Sequence, residues 1–398
     1  MKKGWKIKTL GLITTSMADG PFGSNLKKEH YTTAREVRII QLSNIGEEGW
    51  REENTKYTTF AHLETIKRSQ VEAGNLVIAK MMPAGRAILC PDKEKAYVLS
   101  SDAVKAVLID TLCKEFILYQ INSPYFRNQV YENVSGSGRV RTSLTKLRDC
   151  TLQIPSLSEQ KEIVEYLDSS FAKIDTLKAN AAKNLDEAKA LFQSALKEAL
   201  EPRDNWEEKT LGEVGNFKRG GNFSKKDFIE NGFPCIHYGQ IHMKFGIETF
   251  KHLSSVPVEM VKPDRCAQKG DLIIAITSED DAGSCKCTAW MGDYEVYIGG
   301  HTAIYHHSME PKFVSYYFMS PYFQKAKLEY THGFKVVEIN PKDIAKISVH
   351  IPPLSEQQEI VSRLDSLNEK VNTLQQNYSR ICSECDALKQ SILRQVFE

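Results

Sequence analysis

The cysteines of this chain include the residues whose types and spacing come nearest to a chemical site. Cys382 and Cys385 form a C-x-x-C pair, a spacing used in zinc and redox sites, but no second pair lies nearby. Cys385 also falls on the apolar seam of a heptad pattern, which favours core packing for the pair. A second group of possible zinc ligands comprises Cys266, Cys285, Cys287 and His301. Its spacing matches no standard zinc pattern, so we expect no metal centre and keep zinc in this second group as the alternative.

Signatures of catalysis are missing from the sequence. It contains neither a G-x-x-x-x-G-K-[ST] phosphate loop nor an H-E-x-x-H motif. The stretch "INPKD" at Ile339 lacks the second proline and the aromatic residue of the amino-methyltransferase motif. In "PDKEK" at Pro91, Glu94 and Lys95 are adjacent, whereas the nuclease motif that it resembles separates them by one residue. We therefore predict that this chain is not an enzyme and binds no cofactor.

The composition is that of a globular protein with more than one domain. The chain has 398 residues, of which 41% are hydrophobic and 26% are charged. It has no apolar run long enough to span a bilayer and no apolar segment of a secretion signal. We therefore expect no membrane association, a cytoplasmic location, and reduced thiols at the nine cysteines.

The net charge of +1 conceals a difference between the two halves of the chain. Residues 1–150 carry 23 Lys and Arg against 16 Asp and Glu, a net charge of +7. Residues 202–350 carry 18 against 19, a net charge of −1. The first block could therefore face a polyanion, and the second could do so only through a local basic face.

An internal repeat organises the chain. The stretch "IPSLSEQKEIVEYLD" at Ile154 returns as "IPPLSEQQEIVSRLD" at Ile351, with eleven of fifteen positions identical. Three further pairs keep the same order at offsets of 196 to 201 residues: "WKIKTLG" and "WEEKTLG", "AGNLVIA" and "KGDLIIA", and "SPYF" in both halves. Chance similarity would not preserve both order and spacing, so one domain and one helix are each present twice.

A long amphipathic helix is predicted after each copy of "LSEQ". After the second copy, apolar residues recur at alternating intervals of four and three residues, the pattern of a coiled-coil seam. The first copy keeps the register with interruptions at Ser170 and Asn184, next to Phe171 and Leu185. The residues predicted to pack between the two helices are Ile163, Leu167, Ile174, Leu177, Leu191, Ile360, Leu364, Leu367, Val371, Leu374, Ile381 and Leu388.

These helices are expected to pack against each other. Each would be roughly 64 Å long and would expose its apolar stripe if it stood alone. The first helix leaves the first domain and reaches the second, so the last helix must return, and the packing is predicted to be antiparallel. The predicted fold class is α+β: two mixed α/β domains joined by two long antiparallel coiled-coil helices, with a pseudo-two-fold repeat. The predicted boundaries are 1–154, 155–201 (central helix), 202–351 and 352–398 (C-terminal helix).

This arrangement resembles a known family. The two domains, the two heptad helices introduced by "P-x-L-S-E-Q" and the openings "W-x-x-K-T-L-G" are similar to the specificity subunit of type I restriction–modification systems. The loop "DGPFGSNLK" at Asp19 and the strands "GNLVIA" and "GDLIIA" resemble the target recognition domains of that family. The resemblance covers essentially the whole chain.

The resemblance implies a function and a set of partners. Each target recognition domain would read one half of a split double-stranded DNA target, and the helices would set the gap between the halves. The helices would also dock two methyltransferase subunits, which use S-adenosylmethionine to methylate adenine. Endonuclease–translocase subunits, which use ATP and Mg²⁺, would complete the restriction complex. The chain itself would bind no cofactor.

Candidate DNA-contacting residues follow from the chemistry of base edges and phosphates, which are bound by Arg, Lys, Asn and Gln with Ser, Thr and His assisting. In the first domain they are Ser24, Asn25, Lys27, Lys28, Arg38, Gln41, Ser43, Asn44, Lys80 and Arg86. In the second they are Lys218, Arg219, Asn222, Lys225, Lys226, His237, Tyr238, Gln240, Thr277, Ser278 and Lys286. Arg139, Arg141 and Lys335, near the returns to the helices, are expected either to touch the DNA backbone or to pair with acidic residues of the helices.

Two other readings of the sequence stay open. The chain could be a coiled-coil scaffold whose two domains bind protein, because different loops on a shared frame would suit that role as well. It could also carry an unfamiliar nuclease or hydrolase site, although no compact His/Asp/Glu cluster supports one. Steep salt dependence of duplex binding would favour the DNA reader, and metal-dependent cleavage would favour the enzyme.

Overall fold

Two compact units divide the chain. The computed structural model describes residues 4–81, 83–132, 141–281, 283–333 and 336–398. Unit 1 comprises Met1–Ala181 and Ser379–Glu398, and unit 2 comprises Ala182–Tyr378. Each unit contains one globular head, the beginning of one long helix and the end of the other. Among the described residues, no helix is long and apolar enough to cross a membrane.

The head of unit 1, called head 1, extends from its first to its last strand. Its strands are β1 (Lys6–Thr9), β2 (Thr14–Asp19), β3 (Tyr31–Thr32), β4 (Val37–Ile40), β5 (Ile45–Gly46), β6 (Gly49–Trp50), β7 (Tyr57–Thr58), β8 (Gln70–Val71), β9 (Leu76–Ala79), β10 (Ala87–Leu89), β11 (Tyr97–Leu99), β12 (Ala103–Leu108) and β13 (Thr151–Ile154). Its helices are α1 (Phe60–Thr65), α2 (Lys114–Asn122), α3 (Pro124–Glu132) and α4 (Leu144–Asp149), and the first long helix, α5 (Leu157–Ala199), follows.

Two sheets form the frame of head 1. The first is antiparallel with the order β10–β9–β12–β2, and the second has the order β3–β7–β4–β11–β8 with β4 and β11 parallel. Successive side chains of a strand point to opposite faces, so β9 contributes to two cores. Leu76 and Ile78 pack with the helices, whereas Val77 and Ala79 pack with residues of the second sheet.

The head of unit 2, called head 2, repeats this frame. Its strands are β14 (Glu207–Thr210), β15 (Gly215–Arg219), β16 (Phe233–Ile236), β17 (Glu248–Thr249), β18 (Ser254–Val256), β19 (Cys266–Ala267), β20 (Leu272–Ala275), β21 (Thr277–Ser278), β22 (Cys287–Trp290), β23 (Val296–Ile298), β24 (Thr302–His307), β25 (Val337–Glu338) and β26 (Ser348–Ile351). Its helices are α6 (Tyr238–Met243), α7 (Pro311–Met319), α8 (Pro321–Ala326) and α9 (Pro341–Ile344), and the second long helix, α10 (Leu354–Phe397), follows.

Four strands of each main sheet in head 2 match four strands in head 1, and the edge strands β17 of head 2 and β3 of head 1 have no counterpart among the described strands. The order β22–β20–β24–β15 corresponds to β10–β9–β12–β2, and the order β18–β16–β23–β19 corresponds to β7–β4–β11–β8. The same alternation recurs in β20, where Leu272 and Ile274 pack with the helices and Ile273 and Ala275 pack with the other sheet. The prediction of two mixed α/β domains with an internal repeat is confirmed.

The repeated sequence openings are explained by strand pairing within each unit. In unit 1, β1 of "WKIKTLG" pairs antiparallel with β13, which carries the "IP" phrase, in a register from Lys6–Ile154 to Thr9–Thr151. In unit 2, β14 of "WEEKTLG" pairs with β26 from Glu207–Ile351 to Thr210–Ser348. Each long helix therefore starts directly after a strand that the opening of its own head holds in place.

The glutamine of each "LSEQ" attaches the start of a long helix to its head. The Gln160 side chain accepts a hydrogen bond from the Cys113 backbone N–H at 2.9 Å and donates to the Pro155 carbonyl at 3.0 Å. Gln357 makes the same pair with Glu310 at 2.8 Å and Pro352 at 2.9 Å. Both glutamines are buried. Because buried backbone groups need partners, these amides fix the joint between head and helix.

Ion pairs within each unit show that the two long helices run antiparallel there. In unit 1, Asp175 of α5 meets Lys389 of α10 at 2.5 Å, and Lys178 meets Asp386 at 3.0 Å, so the numbering rises along one helix as it falls along the other. In unit 2, Glu198 near the end of α5 meets Arg363 near the start of α10 at 3.1 Å. The predicted antiparallel packing is confirmed.

The residues predicted to pack between the helices fall into three groups. Leu167, Ile174, Ile360 and Leu364 are buried. Ile163, Leu367, Val371 and Ile381 are half-buried. Leu177, Leu191, Leu374 and Leu388 are exposed, with between 37% and 71% of their surface accessible. For the third group the prediction is wrong.

In unit 1 a layer of charged residues replaces Leu177 and Leu388. The neighbouring positions Lys178 and Lys389 turn inward instead, and the Lys389 ammonium lies 5.6 Å from the centre of the Phe171 ring. Lysine covers apolar surface with its methylene stem while its ammonium finds carboxylates, which here belong to Asp175 and Asp386. The hydrogen bond to Asp386 raises the pKa of Lys178.

In unit 2 the stripe lies one residue later on α5 and drifts on α10. Phe192 is buried and packs against Tyr316 with ring centres 6.3 Å apart, so the preceding Leu191 points outward. On α10, Leu374 follows Ile360 by two heptads. A straight helix rotates a heptad stripe by about 20° per heptad, which turns Leu374 away from the seam that Ile360 occupies.

The cysteines are free thiols in the structure. Cys385 is buried, and Cys382 is half-buried. Burial raises the pKa of Cys266 to about 11 and that of Cys285 to about 12, and it also raises that of Cys287. Among the described residues, no group of three or more His, Cys, Asp or Glu could hold a metal ion.

Candidate nucleic-acid interface

In both heads, the loop that follows β2 or β15 begins at a glycine turn of the same kind, although the loop sequences differ. The loop leaves β2 at Gly20, whose N–H donates to the Ala103 carbonyl at 3.0 Å, and it leaves β15 at Gly220, whose N–H donates to the Thr302 carbonyl at 2.9 Å. A Cβ atom would lie 1.7 Å from the Ser100 carbonyl oxygen at Gly20 and 2.0 Å from the Gly299 oxygen at Gly220. Only glycine fits so close to a neighbouring backbone, so this turn fixes the base of the loop in each head.

In head 1 the loop places several predicted residues in solvent. Ser24, Asn25, Lys27 and Lys28 are exposed. The loop is nevertheless ordered by hydrogen bonds: the Asn25 N–H donates to the Phe22 carbonyl at 2.8 Å, and the His62 ring nitrogen Nε2 lies 2.9 Å from the Asn25 carbonyl oxygen. These four side chains can therefore reach a partner without disturbing the core.

The loop borders a basic cleft, which we call the unit 1 cleft. Its polar lining includes Asn25, Lys67, Arg68, Lys80 and Arg141. Lys80 pairs with Asp19 at 2.6 Å, Lys67 pairs with Glu64 at 3.1 Å, and Arg141 pairs with Asp102. An adjoining cavity shares Gly23 and Ser101 with the cleft and adds Gln41 and Ser43. The fold thus brings the loop together with Gln41, Ser43 and Lys80, although these residues are far apart in sequence.

Two predicted contacts of head 1 are structural residues. Arg38 is fully buried, donates to the carbonyls of Glu53 and Asn54 at 3.3 and 3.4 Å, and lies over the Trp50 and Tyr57 rings. Asn44 is also fully buried, and its amide donates to the Arg51 carbonyl at 2.9 Å. The prediction that they contact DNA is wrong, because both side chains are fully buried inside the head.

The turn that contains Asn44 has a counterpart in head 2. The Asn44 side chain accepts from the Gln41 N–H at 2.8 Å, and the Gln240 side chain accepts from the His237 N–H at 3.0 Å. Both are helix-capping contacts that close the chain after β4 and β16. Gln240 also donates to the Ser254 hydroxyl at 2.5 Å, so both the oxygen and the nitrogen of its amide have partners inside head 2.

Arg86 does not join the unit 1 cleft. Its side chain is half-buried and donates to the Leu42 carbonyl at 3.2 Å. Burial lowers the pKa of Arg86, although an arginine stays charged at any physiological pH. The arrangement is that of a residue holding the β4 turn, and no geometry of the cleft argues for contact with a ligand.

In head 2 the predicted residues of β15 and its loop differ in availability. Arg219 forms an ion pair with Glu338 at 2.6 Å and donates to the Gly300 carbonyl at 3.2 Å. Lys218 is half-buried, and Asn222, Lys225 and Lys226 are exposed. Ser224 caps the short turn that carries both lysines by accepting from the Lys226 N–H, so their backbone positions are fixed.

A second group of predicted residues lines a cleft of about 1030 Å³ in unit 2. Tyr238, Thr277, Ser278 and Lys286 are among its lining residues, together with the acidic Glu279 and Asp280. Lys286 donates to the His242 carbonyl at 2.7 Å. Thr277 is buried and lies 3.1 Å from the His301 ring nitrogen Nδ1, so its hydroxyl supports the wall of the cleft.

Histidine and tyrosine rings cluster beside this cleft. Tyr238 lies 4.4 Å from His237 and 5.2 Å from His301, measured between ring centres. Burial lowers the pKa of His237, and the nearby Lys225 and His301 act in the same direction, so His237 is neutral at pH 7. His237 is buried and caps α6 by accepting from the Gly239 N–H at 3.3 Å. Because His237 is buried, its exposure does not support the prediction that it contacts DNA.

Sequence reasoning missed part of the unit 1 cleft. Lys67 and Arg68 lie just after α1 and line the cleft, but the only sequence signal was a basic doublet in a stretch without a repeated counterpart. Arg141 pairs with Asp102 of its own head rather than with an acidic residue of the long helices, so of its two predicted roles only contact with the DNA backbone is left as a prediction. Arg139 and Lys335 lie outside the described residues.

Comparison with known proteins gives a consistent result. The family model described as "Type I restriction modification DNA specificity domain" matches residues 3–185 and 203–381. The specificity subunit of the type I restriction enzyme EcoKI from Escherichia coli K12 is 23% identical over 430 aligned positions, which cover 100% of this chain and 89% of that protein. The MjaVIII specificity subunit from Methanocaldococcus jannaschii is 23% identical over 70% of this chain and 69% of that protein.

Solved structures share the fold. A chain from work on complex assembly and conformational transition of the type I R-M system matches with a TM-score of 0.75 and 20% identity, covering 100% of this chain and 98% of that one. The HsdS subunit from Thermoanaerobacter tengcongensis matches with a TM-score of 0.55 and 20% identity, covering 100% and 97%. The two family matches coincide with the two halves of the internal repeat.

Proposed function

This chain belongs to the type I restriction–modification DNA specificity family, and on that premise we propose how its two heads divide the reading of DNA. It is a non-catalytic, sequence-specific DNA recognition subunit with two target recognition domains. Head 1 reads one half of a split duplex target through the unit 1 cleft and the loop after Gly20. Head 2 reads the other half through the loop after Gly220 and the cleft beside Tyr238.

One observation carries this proposal. The two heads share a frame of two four-stranded sheets with the same strand order, and in each head the first loop leaves this frame at a glycine turn. The loops then differ in sequence and present exposed polar and basic side chains: Ser24, Asn25, Lys27 and Lys28 in head 1, and Asn222, Lys225 and Lys226 in head 2. A constant frame with different polar loops suits two readers of different sequences, because bases are read by polar side chains and phosphates by lysines.

We further propose that α5 and α10 set the gap between the half-sites and dock two methyltransferase subunits. Those partners would bind S-adenosylmethionine and methylate adenine, and endonuclease–translocase subunits with ATP and Mg²⁺ would complete the complex. One heptad added to each helix adds about 10 Å, or about 3 base pairs of gap, with both half-sites unchanged. A variant that methylates altered half-sites at an unchanged gap would overturn this ruler role.

A methylation map tests the proposed function. The chain is expressed with its cognate methyltransferase in a host without adenine methylation, and modified adenines are located by sequencing the genome. A split motif with one methylated adenine per half, on opposite strands, is the expected result. If the two proteins associate and no motif is modified, the DNA-reading role fails and the protein-binding scaffold becomes the better account.

A further inference from the structure

Phe22 is an apolar side chain placed where the fold gives it no apolar neighbour to cover it. Its exposed fraction is 84%, the highest among the large hydrophobic side chains of the described residues. It lies in the loop "DGPFGSN", two residues after Gly20. Leaving a phenylalanine in water forgoes the stabilisation that burial would supply. A single exposed hydrophobic side chain is common on protein surfaces, so a partner for Phe22 is inferred from how the residue is held and from what surrounds it.

The turn that carries Phe22 is fixed on both sides. Gly20 is fastened to the Ala103 carbonyl at 3.0 Å, and Pro21 is buried. After Phe22, its own carbonyl accepts from the Asn25 N–H at 2.8 Å, and the Asn25 carbonyl meets the His62 ring at 2.9 Å. The ring is therefore presented on a preorganised turn, which lowers the entropic cost of inserting it into a partner.

The surroundings of Phe22 favour a polyanion over a protein. Phe22 lines the unit 1 cleft, whose other charged lining residues are the cations Lys67, Arg68, Lys80 and Arg141 and one acid, Asp19, which pairs with Lys80. Cations follow the phosphates of a duplex, while an apolar ring between them meets the bases. Proteins use this combination of a basic surface with a projecting Phe, Leu or Ile to separate stacked base pairs.

Head 2 lacks this feature at the equivalent place. Asn222 follows Gly220 by the same two residues and is exposed, whereas Phe223 is buried against Tyr297 with ring centres 5.3 Å apart. The two loops thus start from the same glycine turn and present different chemistry, an aromatic ring in head 1 and an amide in head 2.

We propose that Phe22 is a wedge that inserts into the base stack of the half-site read by head 1, while head 2 reads its half-site without such a wedge. The inference rests on the proposed DNA-reading function and deepens it. It makes Phe22 a specificity-determining residue, because the energy needed to open a base step depends on its sequence. The opening of a base step by an inserted ring is then confined to one half of the target.

The test uses the full chain with its methyltransferase subunits and duplexes that carry the mapped motif. 2-Aminopurine, whose fluorescence rises when it is unstacked, replaces one base at a time in both half-sites. The adenines that are methylated and the bases next to them are left unreplaced, because a methyltransferase flips its target base out of the stack. For the wild-type complex the fluorescence should rise at one step in a single half-site. Phe22→Ala should abolish that rise and weaken motif binding about 5- to 150-fold, which is the loss expected for one base–aromatic contact.

Three variants make the result specific. Phe22→Trp should keep the fluorescence rise, since a larger ring also stacks. Leu253→Ala, which truncates an exposed apolar side chain of head 2, should leave the rise in the head 1 half-site unchanged. Phe60→Ala is the matched control in the same head, because Phe60 is also exposed and does not line the unit 1 cleft.

The outcomes separate this inference from the function beneath it. If the wild-type complex binds no motif specifically, the proposed function itself fails. If it binds the motif but its fluorescence stays flat, or if Phe22→Ala binds as the wild type does, the wedge is wrong and the function stands. If Phe22→Ala instead weakens the association of the chain with its methyltransferase, Phe22 is a protein contact and the wedge is equally overturned.

Discussion

Heads 1 and 2 have one frame and two different surfaces. Where β2 ends, Asp19 pairs with Lys80, and where β15 ends, Arg219 pairs with Glu338. The corresponding strand therefore ends in an acidic residue in head 1 and in a basic residue in head 2. Two residues beyond the following glycine, Phe22 in one head replaces Asn222 in the other. The frame tolerates these exchanges because they occur where the chain leaves the sheet, outside the shared core.

The cores of the two heads also differ, and one of these differences changes the chemistry at the end of a strand. β12 and β24 occupy the same position in their sheets, and their last residues are Leu108 and His307. Leu108 packs in an apolar core, whereas His307 places a titratable ring at the same position, where burial lowers its pKa. The joint to the long helix, by contrast, is the same in both units. The two heads therefore share the frame and the joint to the long helix, while they differ in their surfaces and in this buried position.

The largest expected effect tests the shared joint. Gln160→Leu removes two hydrogen bonds and leaves the half-buried Cys113 N–H and the buried Pro155 carbonyl unpaired. Gln357→Leu does the same to Glu310 and Pro352. Each should lower the free energy of unfolding by about 4 kcal/mol. Denaturant unfolding measures the loss, and hydrogen exchange at Cys113 and Glu310 shows whether it is local.

The control is Gln358→Leu, which changes an exposed glutamine beside the joint and should cost little. Equal losses in the free energy of unfolding for Gln160→Leu and Gln357→Leu would show that the two joints are equivalent. A loss in only one unit would break it.

A pH-dependent effect tests the difference between the cores. Burial lowers the pKa of His307 to about 4 from its ordinary value of 6.5, so the folded state favours the neutral ring. The associated stability is fully present above about pH 6.5 and is lost as the pH falls towards 4, a total of about 3 kcal/mol. His307→Leu should remove this loss, which urea unfolding at pH 7 and pH 4.5 would reveal.

The reciprocal variant extends that test. Leu108→His should destabilise unit 1 and make its stability fall with pH in the same window, because the new ring would be buried among apolar side chains. If wild type and His307→Leu lose stability in parallel between pH 7 and pH 4.5, another group is responsible for the acid sensitivity.

A smaller effect tests the surfaces. The Lys27→Ala/Lys28→Ala and Lys225→Ala/Lys226→Ala pairs remove exposed lysines from corresponding loops. Each lysine that contacts a phosphate should reduce the slope of log affinity against log salt concentration by about 1 when it is removed. Salt titrations of duplex binding measure that slope for each pair. Lys95→Ala, which changes an exposed lysine in a distant turn of the sequence, is the control and should leave the slope unchanged.

The smallest expected effect concerns the long helices. Arg363 and Glu198 form an ion pair at 3.1 Å, and both side chains are more than half exposed. Arg363→Ala should therefore change the free energy of unfolding by less than about 0.5 kcal/mol. Thermal unfolding at low and high salt measures the contribution of the pair. A loss above about 1 kcal/mol would mean that this ion pair helps to hold the two long helices together in unit 2.

The repeat made much of the fold predictable. Order and spacing of four repeated phrases identified two heads and two helices, and the heptad intervals identified helices of about the right length and direction. The choice of inward positions failed at Leu177 and Leu388, because periodicity alone does not distinguish a leucine from a neighbouring lysine whose stem can cover the same surface.

The candidate site was less predictable than the fold. Exposed loop residues such as Lys28 and Lys225 could be named from composition and position. Arg38 and Asn44 have equally suitable side chains, yet they serve the interior, and nothing local in the sequence separates the two cases. Lys67 and Arg68 were missed because they enter the cleft only when α1 folds back towards the Gly20 loop.

By itself, the sequence determined the duplicated organisation, the two amphipathic helices and the family to which the chain belongs. These properties are written in periodicity and in repeated phrases, which survive without knowledge of distant contacts. Only the tertiary structure decided that Gln160 and Gln357 lock the helices to the heads, that Arg38 is internal, and that Phe22 stands in solvent beside four cations. Burial and hydrogen-bond partners depend on which segments meet in space, and that is settled by packing across hundreds of residues of chain.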